Sequence, residues 1–319
     1  MNLKIDGVVP VMLTPFDSTG QIDFAGLGNL TEWYIENGAR ALFAVCQSSE
    51  MQFLSVKERV EIARFVVTQV NGRLPVIASG HVADDIDDQQ AELSAISETG
   101  IDAIVFVSNR LDVNDSGVNA LTATLQKLMS KLPSDLPLGL YECPAPYRRL
   151  LSDDEIKFCR DTGRFAVLKD VSCDLATISR RVALVSGTDL RIVNANAAIA
   201  FKAMQAGSAG FAGVFTNFHP DLYAWLYANK ATENPLISDL TTFLALSACA
   251  ESMGYPGLAK LYHQQIGTFR SSFSRAIDYD VAERHWAAMD IINHIHTGTI
   301  RFRGQIDQQA NNGLSGLMP

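Results

Sequence analysis

The chain has 319 residues, of which 47% are hydrophobic and 19% charged, and its net charge at pH 7 is −9. This composition is typical of a packed globular protein and excludes a chain that is mainly disordered. The acidic balance argues against a nucleic-acid-binding protein, because such proteins need a basic surface to bind phosphates. The sequence contains no apolar run of about 18 residues, so we expect no helix that spans a membrane.

The cysteine and histidine spacing predicts neither disulfides nor a metal centre. Five cysteines occur without a CxxC pair, and they are Cys46, Cys143, Cys159, Cys173 and Cys249. Their odd number and wide spacing predict reduced thiols in a cytoplasmic protein. His294 and His296 are two positions apart, which places them on different faces of a helix and argues against a shared metal ion.

Short apolar runs alternate with longer amphipathic segments up to residue 217. The runs predict eight strands, at residues 8–16, 41–46, 75–79, 103–107, 138–143, 165–169, 191–194 and 211–215. Helices are predicted between them, including residues 56–70, 91–99, 121–132, 153–159 and 197–206. Ser55 and Ser152 are each followed by Glu three positions later, which is the capping-box pattern of a helix start.

The alternation of strands and helices predicts an α/β fold in which eight parallel strands close into a (β/α)8 TIM barrel. A doubly wound open sheet is the alternative, but its nucleotide-binding members have a GxGxxG sequence after the first strand. Here Thr14-Pro15-Phe16-Asp17 follows that strand, and no Walker sequence is present.

The residues after the predicted barrel have helical patterns throughout. Three further helices are predicted, at residues 236–253, 258–273 and 281–296. We therefore expect two domains, a barrel at residues 1–224 that contains the active site and a C-terminal helical subdomain at 225–319. The tail from Asn311 to Pro319 is rich in Gly and Asn, and we expect it to be frayed.

The side chains that end the barrel strands are the candidate site, because such barrels place their chemistry at the C-terminal ends of the strands. Lys169 ends an otherwise apolar strand. Burial in the barrel mouth would disfavour its charge, and a neutral amine can condense with a carbonyl to form a Schiff base. The alternative is a lysine that extends to solvent or pairs with Asp170.

Two further strand ends provide hydroxyl groups. Tyr141 ends the strand next to that of Lys169, about 4.8 Å away, so its hydroxyl could shuttle a proton at an imine. Packing at the barrel rim is the alternative. Ser48 and Ser49 follow the second strand, where hydroxyls and backbone N–H groups can hold a carboxylate. A polar loop with a hydroxyl cap would give the same sequence.

Several segments in order match the motifs of one enzyme family. They are residues 7–16 at the opening strand, 46–50 at GTTGE, 75–80 at PVIAG, 141–144 at YNxP, 168–172 at IKDxS and 207–220 at GxxGvIS…N..P. The ordered set resembles the dihydrodipicolinate synthase / N-acetylneuraminate lyase family, which are class I pyruvate-dependent aldolases on a (β/α)8 barrel with a C-terminal helical domain.

The resemblance implies a role for each of the four residues already singled out. Lys169 would form the Schiff base with pyruvate or another 2-oxo acid, Tyr141 would be the proton shuttle, and Ser48 and Ser49 would hold the carboxylate. It further implies an aldehyde as the second substrate, no cofactor or metal, and a homotetramer or dimer. The family's inter-subunit tyrosine is missing, so the contact between subunits is expected to differ.

The sequence departs from the family at positions that select the substrate. Gln47 stands where the first hydroxyl of GTTGE belongs, and strand 4 ends in Val107-Ser-Asn-Arg110 without a tyrosine pair. Pro146 occupies the place of the synthase's arginine. These differences argue against the lysine-pathway synthase. Asn196 and Val214 stand where sialic-acid lyases have acidic and hydroxyl residues, so a polyol tail would be poorly held.

The remaining polar side chains at the predicted mouth are Gln47, His81, Asn109, Arg110, Glu142 and Asn196. Gln47, His81, Asn109 and Asn196 are candidate substrate-binding residues. His81 could act as a base near neutral pH, although an ordinary loop histidine is the alternative. Because side chains alternate along a strand, we expect Glu142 to point away from the site and pair with an arginine.

Three functions remain open from the sequence. The first is an aldolase that forms or cleaves a C–C bond through a Lys169 imine. The second is a 2-keto-3-deoxy sugar acid dehydratase that uses the same imine. The third is a non-catalytic relative that binds a 2-oxo acid, although such a protein would not need an imine-forming amine.

Overall fold

The computed structural model describes residues 3–315, with side chains through residue 311. Within that part, eight parallel strands form one sheet in the order β1-β8-β7-β6-β5-β4-β3-β2. The strands are β1 Gly7–Val8, β2 Leu42–Val45, β3 Val76–Ala78, β4 Ala103–Val107, β5 Leu138–Tyr141, β6 Phe165–Asp170, β7 Arg191–Asn194 and β8 Gly210–Phe211.

Backbone hydrogen bonds between the first two strand segments close the sheet into a barrel. Arg40 N–H donates to Val8 O at 2.8 Å, and Phe43 N–H donates to Pro10 O at 2.9 Å. Met12 N–H donates back to Phe43 O at 3.1 Å. The predicted (β/α)8 TIM barrel is therefore confirmed.

The first and last strands are shorter than the predicted ranges 8–16 and 211–215. Pro10 and Pro15 have no N–H to donate, so regular pairing stops after Val8 and continues only as isolated bridges. At β8 the backbone turns into a 3-10 helix at Val214–Asn217. A Cβ atom on Gly210 would lie 1.7 Å from the carbonyl oxygen of Gly7, so β1 and β8 approach closely only because this residue is glycine.

Helices cover the outside of the barrel and build the C-terminal region. They are α1 Phe24–Glu36, α2 Val56–Val70, α3 Ile86–Ser97, α4 Ser108–Leu111, α5 Val118–Met129, α6 Asp153–Asp161, α7 Leu175–Leu184, α8 Ala200–Gln205, α9 Pro220–Ala228, α10 Leu236–Ala248, α11 Gly257–Gln265, α12 Val281–Arg284 and α13 Ala288–Ser315. Both predicted capping boxes are present, at Ser55 with Glu58 and at Ser152 with Glu155. Among the described helices, none is long and apolar enough to cross a membrane.

The C-terminal helices differ from the predicted ranges. Helix α11 ends at Gln265 instead of 273, because Gly267 adopts φ +80° and Thr268 N–H donates to His263 O at 2.9 Å. This arrangement is a Schellman motif, which stops a helix. Helix α13 continues to Ser315, so the frayed tail expected from Asn311 is wrong up to that residue, and the rest lies outside the described residues.

The division into residues 1–224 and 225–319 remains a proposal. Helix α9 follows β8, packs beside β1 and continues to Ala228. Helix α10 packs on a 3-10 turn, Ala197–Ile199, that follows β7. The C-terminal helices therefore reach the end of the barrel where the strands terminate.

Candidate active site

A cavity of about 860 Å³ opens at the C-terminal ends of the strands. Lys169 and Tyr141 are both in its wall, together with Gln47 and Ser48 from the turn after β2. Helix α10 and the residues that follow it provide another part of the wall. The cavity thus lies where the barrel fold predicts a site, and the C-terminal helices help to enclose it.

Lys169 projects into this cavity from β6, and only 6% of it is exposed. The strand register pairs it with Tyr141 of β5. Its Nζ lies 4.4 Å from the ring centroid of Tyr141 and 5.8 Å from that of Phe43. Desolvation by these apolar surfaces lowers the pKa of Lys169, although negative charge at two nearby thiols and at Glu251 would oppose the shift.

The acids next to Lys169 on the barrel bind an arginine instead of the lysine. Asp170 follows Lys169 on β6 and therefore faces outward, where Arg181 donates to it. Arg181 also donates to Glu142 at 2.7 Å, as expected for a side chain that points away from the site. In the described part of the chain, no carboxylate forms an ion pair with Lys169 Nζ. The alternative in which Asp170 pairs with Lys169 is wrong.

Tyr141 is held beside the amine as a neutral hydrogen-bond donor. Its hydroxyl donates to Gln47 Oε1 at 3.4 Å, and the Cys143 thiol donates to the same oxygen at 3.4 Å. Burial raises the pKa of Tyr141 well above its usual value, so the phenol stays protonated at physiological pH. Gln47 is therefore brought to the site, where it orients the tyrosine hydroxyl.

The two serines after β2 have different positions. Ser48 is in the cavity wall. Ser49 is fully buried, and its Oγ donates to Cys46 O at 2.7 Å and accepts from Cys46 N–H at 2.8 Å. Ser49 thus closes the 3-10 turn Gln47–Ser49, and its hydroxyl has no position from which to hold a carboxylate.

His81 is not brought to the cavity. It is fully buried, its Nε2 accepts from Val107 N–H at 2.6 Å, and its Nδ1 lies 3.1 Å from Gln89 Oε1. Nδ1 therefore holds the proton, and desolvation lowers the pKa of His81 to about 4. The ring is a neutral structural bridge between β4 and α3, contrary to the prediction of a substrate-binding residue.

Asn109 is also buried outside the cavity wall. Its Nδ2 donates to three carbonyl oxygens of the loop after β5, at 2.9, 3.0 and 2.7 Å for Cys143, Ala145 and Tyr147. Asn109 therefore fixes the loop that carries Cys143, and the structure does not place it where it could bind substrate.

Asn196 and Arg110 are both in the cavity wall. Asn196 Oδ1 accepts from Ile199 N–H at 3.3 Å and so begins the turn after β7. Arg110 forms an ion pair with the exposed Asp84. Asn196 remains a candidate substrate-binding residue, and Arg110 is a cation at the rim.

Two polar side chains from the C-terminal region enter the site, and the sequence analysis missed both. Tyr255 accepts from Asn217 Nδ2 at 3.0 Å, and burial raises the pKa of Tyr255 well above its usual value, an effect that the nearby Ser48 hydroxyl partly opposes. Glu251 is near Lys169, and desolvation raises the pKa of its carboxyl. A search of strand ends could not find them, because they follow helix α10; the Gly-Tyr-Pro-Gly sequence around Tyr255 predicts only a turn.

The described side chains form no group of three His, Cys, Asp or Glu residues that could hold a metal ion. Cys46 and Cys143 lie near Lys169, but burial raises the pKa of both thiols, which keeps them protonated. The chemistry that this site can perform directly is that of a buried amine with a lowered pKa beside a phenol.

Comparisons with known proteins identify the family and the fold of the chain. The sequence model of the dihydrodipicolinate synthetase family matches residues 4–242. The 4-hydroxy-tetrahydrodipicolinate synthase of Bacillus subtilis (strain 168) is 25% identical over 213 residues, which are 66% of this chain and 71% of that protein.

Two solved structures show the same fold. A dihydrodipicolinate synthase from Bacillus anthracis superposes with a TM-score of 0.82 at 22% identity, covering 91% of this chain and 98% of that one. CdNal from Clostridium difficile, in complex with mannosamine, superposes with a TM-score of 0.80 at 16% identity, covering 92% of this chain and 100% of that one.

Proposed function

Because the chain belongs to the dihydrodipicolinate synthetase family, we propose that Lys169 forms an imine with pyruvate or another 2-oxo acid. Membership confirms the resemblance predicted from the motifs, and it makes the chain a lyase of this family. The observation that most supports the imine is a buried Lys169 Nζ that faces an 860 Å³ cavity without an acidic partner among the described residues. We further propose that the protein is a homo-oligomer, which light scattering would test. We also propose that it is located in the cytoplasm.

The first step is imine formation at Lys169. The lowered pKa increases the fraction of neutral amine at physiological pH. Its nitrogen lone pair attacks C2 of the 2-oxo acid, and the C2 oxygen leaves as water. The protonated imine then withdraws electrons from C3, so that loss of a C3 proton gives an enamine.

Ser48 and Tyr141 support the two ends of this intermediate. Ser48 follows β2 in the cavity wall, where its hydroxyl can donate to the substrate carboxylate. The ring centroid of Tyr141 lies 4.4 Å from Lys169 Nζ, so its hydroxyl can donate a proton to the oxygen that leaves C2. In the synthetic direction the enamine carbon attacks an aldehyde carbon, and the aldehyde oxygen takes up a proton. The reverse sequence cleaves the C–C bond and releases pyruvate and the aldehyde.

Borohydride trapping tests the imine directly. The protein is incubated with pyruvate and reduced, and intact and peptide masses are measured. We expect one reduced pyruvate adduct at Lys169, no adduct in Lys169→Met, and a normal adduct in the matched control Lys202→Met, which alters an exposed lysine. The absence of an adduct with pyruvate and several other 2-oxo acids would refute the proposal and leave a binding protein.

Product analysis then separates the two lyase reactions. Release of pyruvate from 4-hydroxy-2-oxo acids identifies C–C cleavage, whereas loss of water from a 2-keto-3-deoxy sugar acid without pyruvate release identifies a dehydratase. An adduct without turnover of any substrate would instead identify a non-catalytic relative.

A further inference from the structure

One side of the active-site cavity is apolar. It is built by the loops after β7 and β8 and by helix α10, and its members include Ala197, Ala198, Val214, Ala245 and Ala248. Helix α10 packs against the 3-10 turn Ala197–Ile199, so the apolar side is continuous across the barrel and the C-terminal helices. We call this side the apolar wall.

Two polar atoms beside the apolar wall already have partners within the protein. Asn196 Oδ1 accepts from Ile199 N–H at 3.3 Å, and Cys249 Sγ donates to Ala245 O at 3.8 Å. A substrate tail with several hydroxyl groups would lose its water here and find few replacements, which is unfavourable. A hydrocarbon tail would move its apolar surface out of water, which is favourable.

Glu251 is the acidic side chain at the edge of this wall. Both Glu251 and Lys169 line the cavity, and a negative charge on Glu251 would raise the pKa of Lys169. A single carboxyl near the imine can, when protonated, donate to the one oxygen of a simple aldehyde, but it cannot satisfy the row of hydroxyls on a sugar.

We propose that the apolar wall selects aldehydes with an alkyl or aryl tail as the partner of the pyruvate enamine. This inference rests on the proposed function. In the synthetic direction, C3 of the enamine bonds to the aldehyde carbon, and the aldehyde oxygen takes a proton and becomes a hydroxyl. Water then hydrolyses the imine, which frees Lys169 and releases a 4-hydroxy-2-oxo acid with an apolar substituent.

The test compares aldehydes of equal chain length, butanal and erythrose, as partners of pyruvate. The measured quantity is kcat/KM for butanal divided by kcat/KM for erythrose. The same ratio is measured with benzaldehyde in place of butanal to test an aryl tail. We expect wild-type protein to favour butanal. Val214→Thr adds a hydroxyl at nearly constant shape and should lower the ratio about tenfold. Val113→Thr, at a position that is 56% exposed and outside the cavity, should leave the ratio unchanged.

A binding experiment keeps the inference testable without turnover. Saturation-transfer NMR with butan-1-ol and erythritol reports occupation of the wall whether or not an imine forms. We expect butan-1-ol to bind and erythritol not to bind. Binding of butan-1-ol to Val214→Thr should be weaker, and thermal unfolding would confirm that this variant folds.

A wild-type preference for erythrose, or equal kcat/KM ratios for wild type and Val214→Thr, would overturn the inference. A Lys169 adduct would in that case still support the proposed function. A missing adduct with selective butan-1-ol binding would instead refute the function and support the apolar wall.

Discussion

The ammonium group of Lys260 in α11 and the carboxylate of Glu50 after β2 form an ion pair in which both side chains are fully buried. Glu50 adopts a left-handed backbone with φ +62° directly after the turn that contains Gln47 and Ser48. Its carboxylate also accepts from Ser274 Oγ at 2.9 Å. The C-terminal helical region therefore anchors the turn to which we assign the substrate carboxylate.

Removal of the cation from this pair should destabilise the protein. In Lys260→Met the buried charge of Glu50 loses its main counter-charge, and we expect the free energy of unfolding to fall by about 3 kcal/mol. Urea denaturation measures the change. Lys57→Met is the matched control, because it removes a lysine that is 84% exposed in a surface pair. Equal stability of the two variants would show that the buried pair does not anchor the turn.

The two serines of the turn should separate binding from stability. Ser48→Ala removes the hydroxyl that faces the cavity, and we expect the KM for pyruvate to rise about tenfold or more with little change in stability. Ser49→Ala leaves Cys46 N–H without its acceptor and should lower the free energy of unfolding by about 1–2 kcal/mol. Kinetics and urea denaturation of both variants measure the two effects. The reverse pattern would contradict our assignment of Ser48.

The sequence predicts those parts of the site that depend on local pattern. Lys169 and Tyr141 end consecutive apolar strands, and parallel strands in register bring consecutive strand ends together. Alternation along the strand also predicts that Glu142 points outward, where it binds Arg181.

Other parts of the site depend on contacts between residues that are distant in sequence. Tyr255 reaches Asn217 only because the chain folds back after α10, and no spacing rule encodes that contact. His81 and Asn109 follow strands as site residues do, but Gln89 and the β5 loop carbonyls bind their polar atoms inside the protein. A strand-end position is therefore insufficient evidence for a functional side chain.

Removal of the Tyr141 hydroxyl should slow turnover without preventing folding. Tyr141→Phe keeps the ring beside Lys169 but removes the proton donor, and we expect kcat to fall about 10²–10⁴-fold. The trapped pyruvate adduct should still form, more slowly, because the amine is intact. Tyr227→Phe, which changes a ring outside the cavity wall, is the control. A silent Tyr141→Phe variant would remove this residue from the mechanism.

The buried His81 ring should make the protein sensitive to acid. Folding lowers the pKa of His81 from 6.5 to about 4, mainly by desolvation. Unfolding therefore takes up a proton between pH 6.5 and 4, and the free energy of unfolding falls as the pH falls through that range. The expected contribution is about 3 kcal/mol, fully present above pH 6.5 and almost completely lost by pH 4.

His81→Gln offers one acceptor and one donor without a titrating ring, so urea denaturation from pH 7 to 4 should give it a shallower loss of unfolding free energy than wild type. His294→Gln, at an exposed position, should follow the wild-type curve. Parallel curves for wild type and His81→Gln would show that the ring takes up no proton on unfolding.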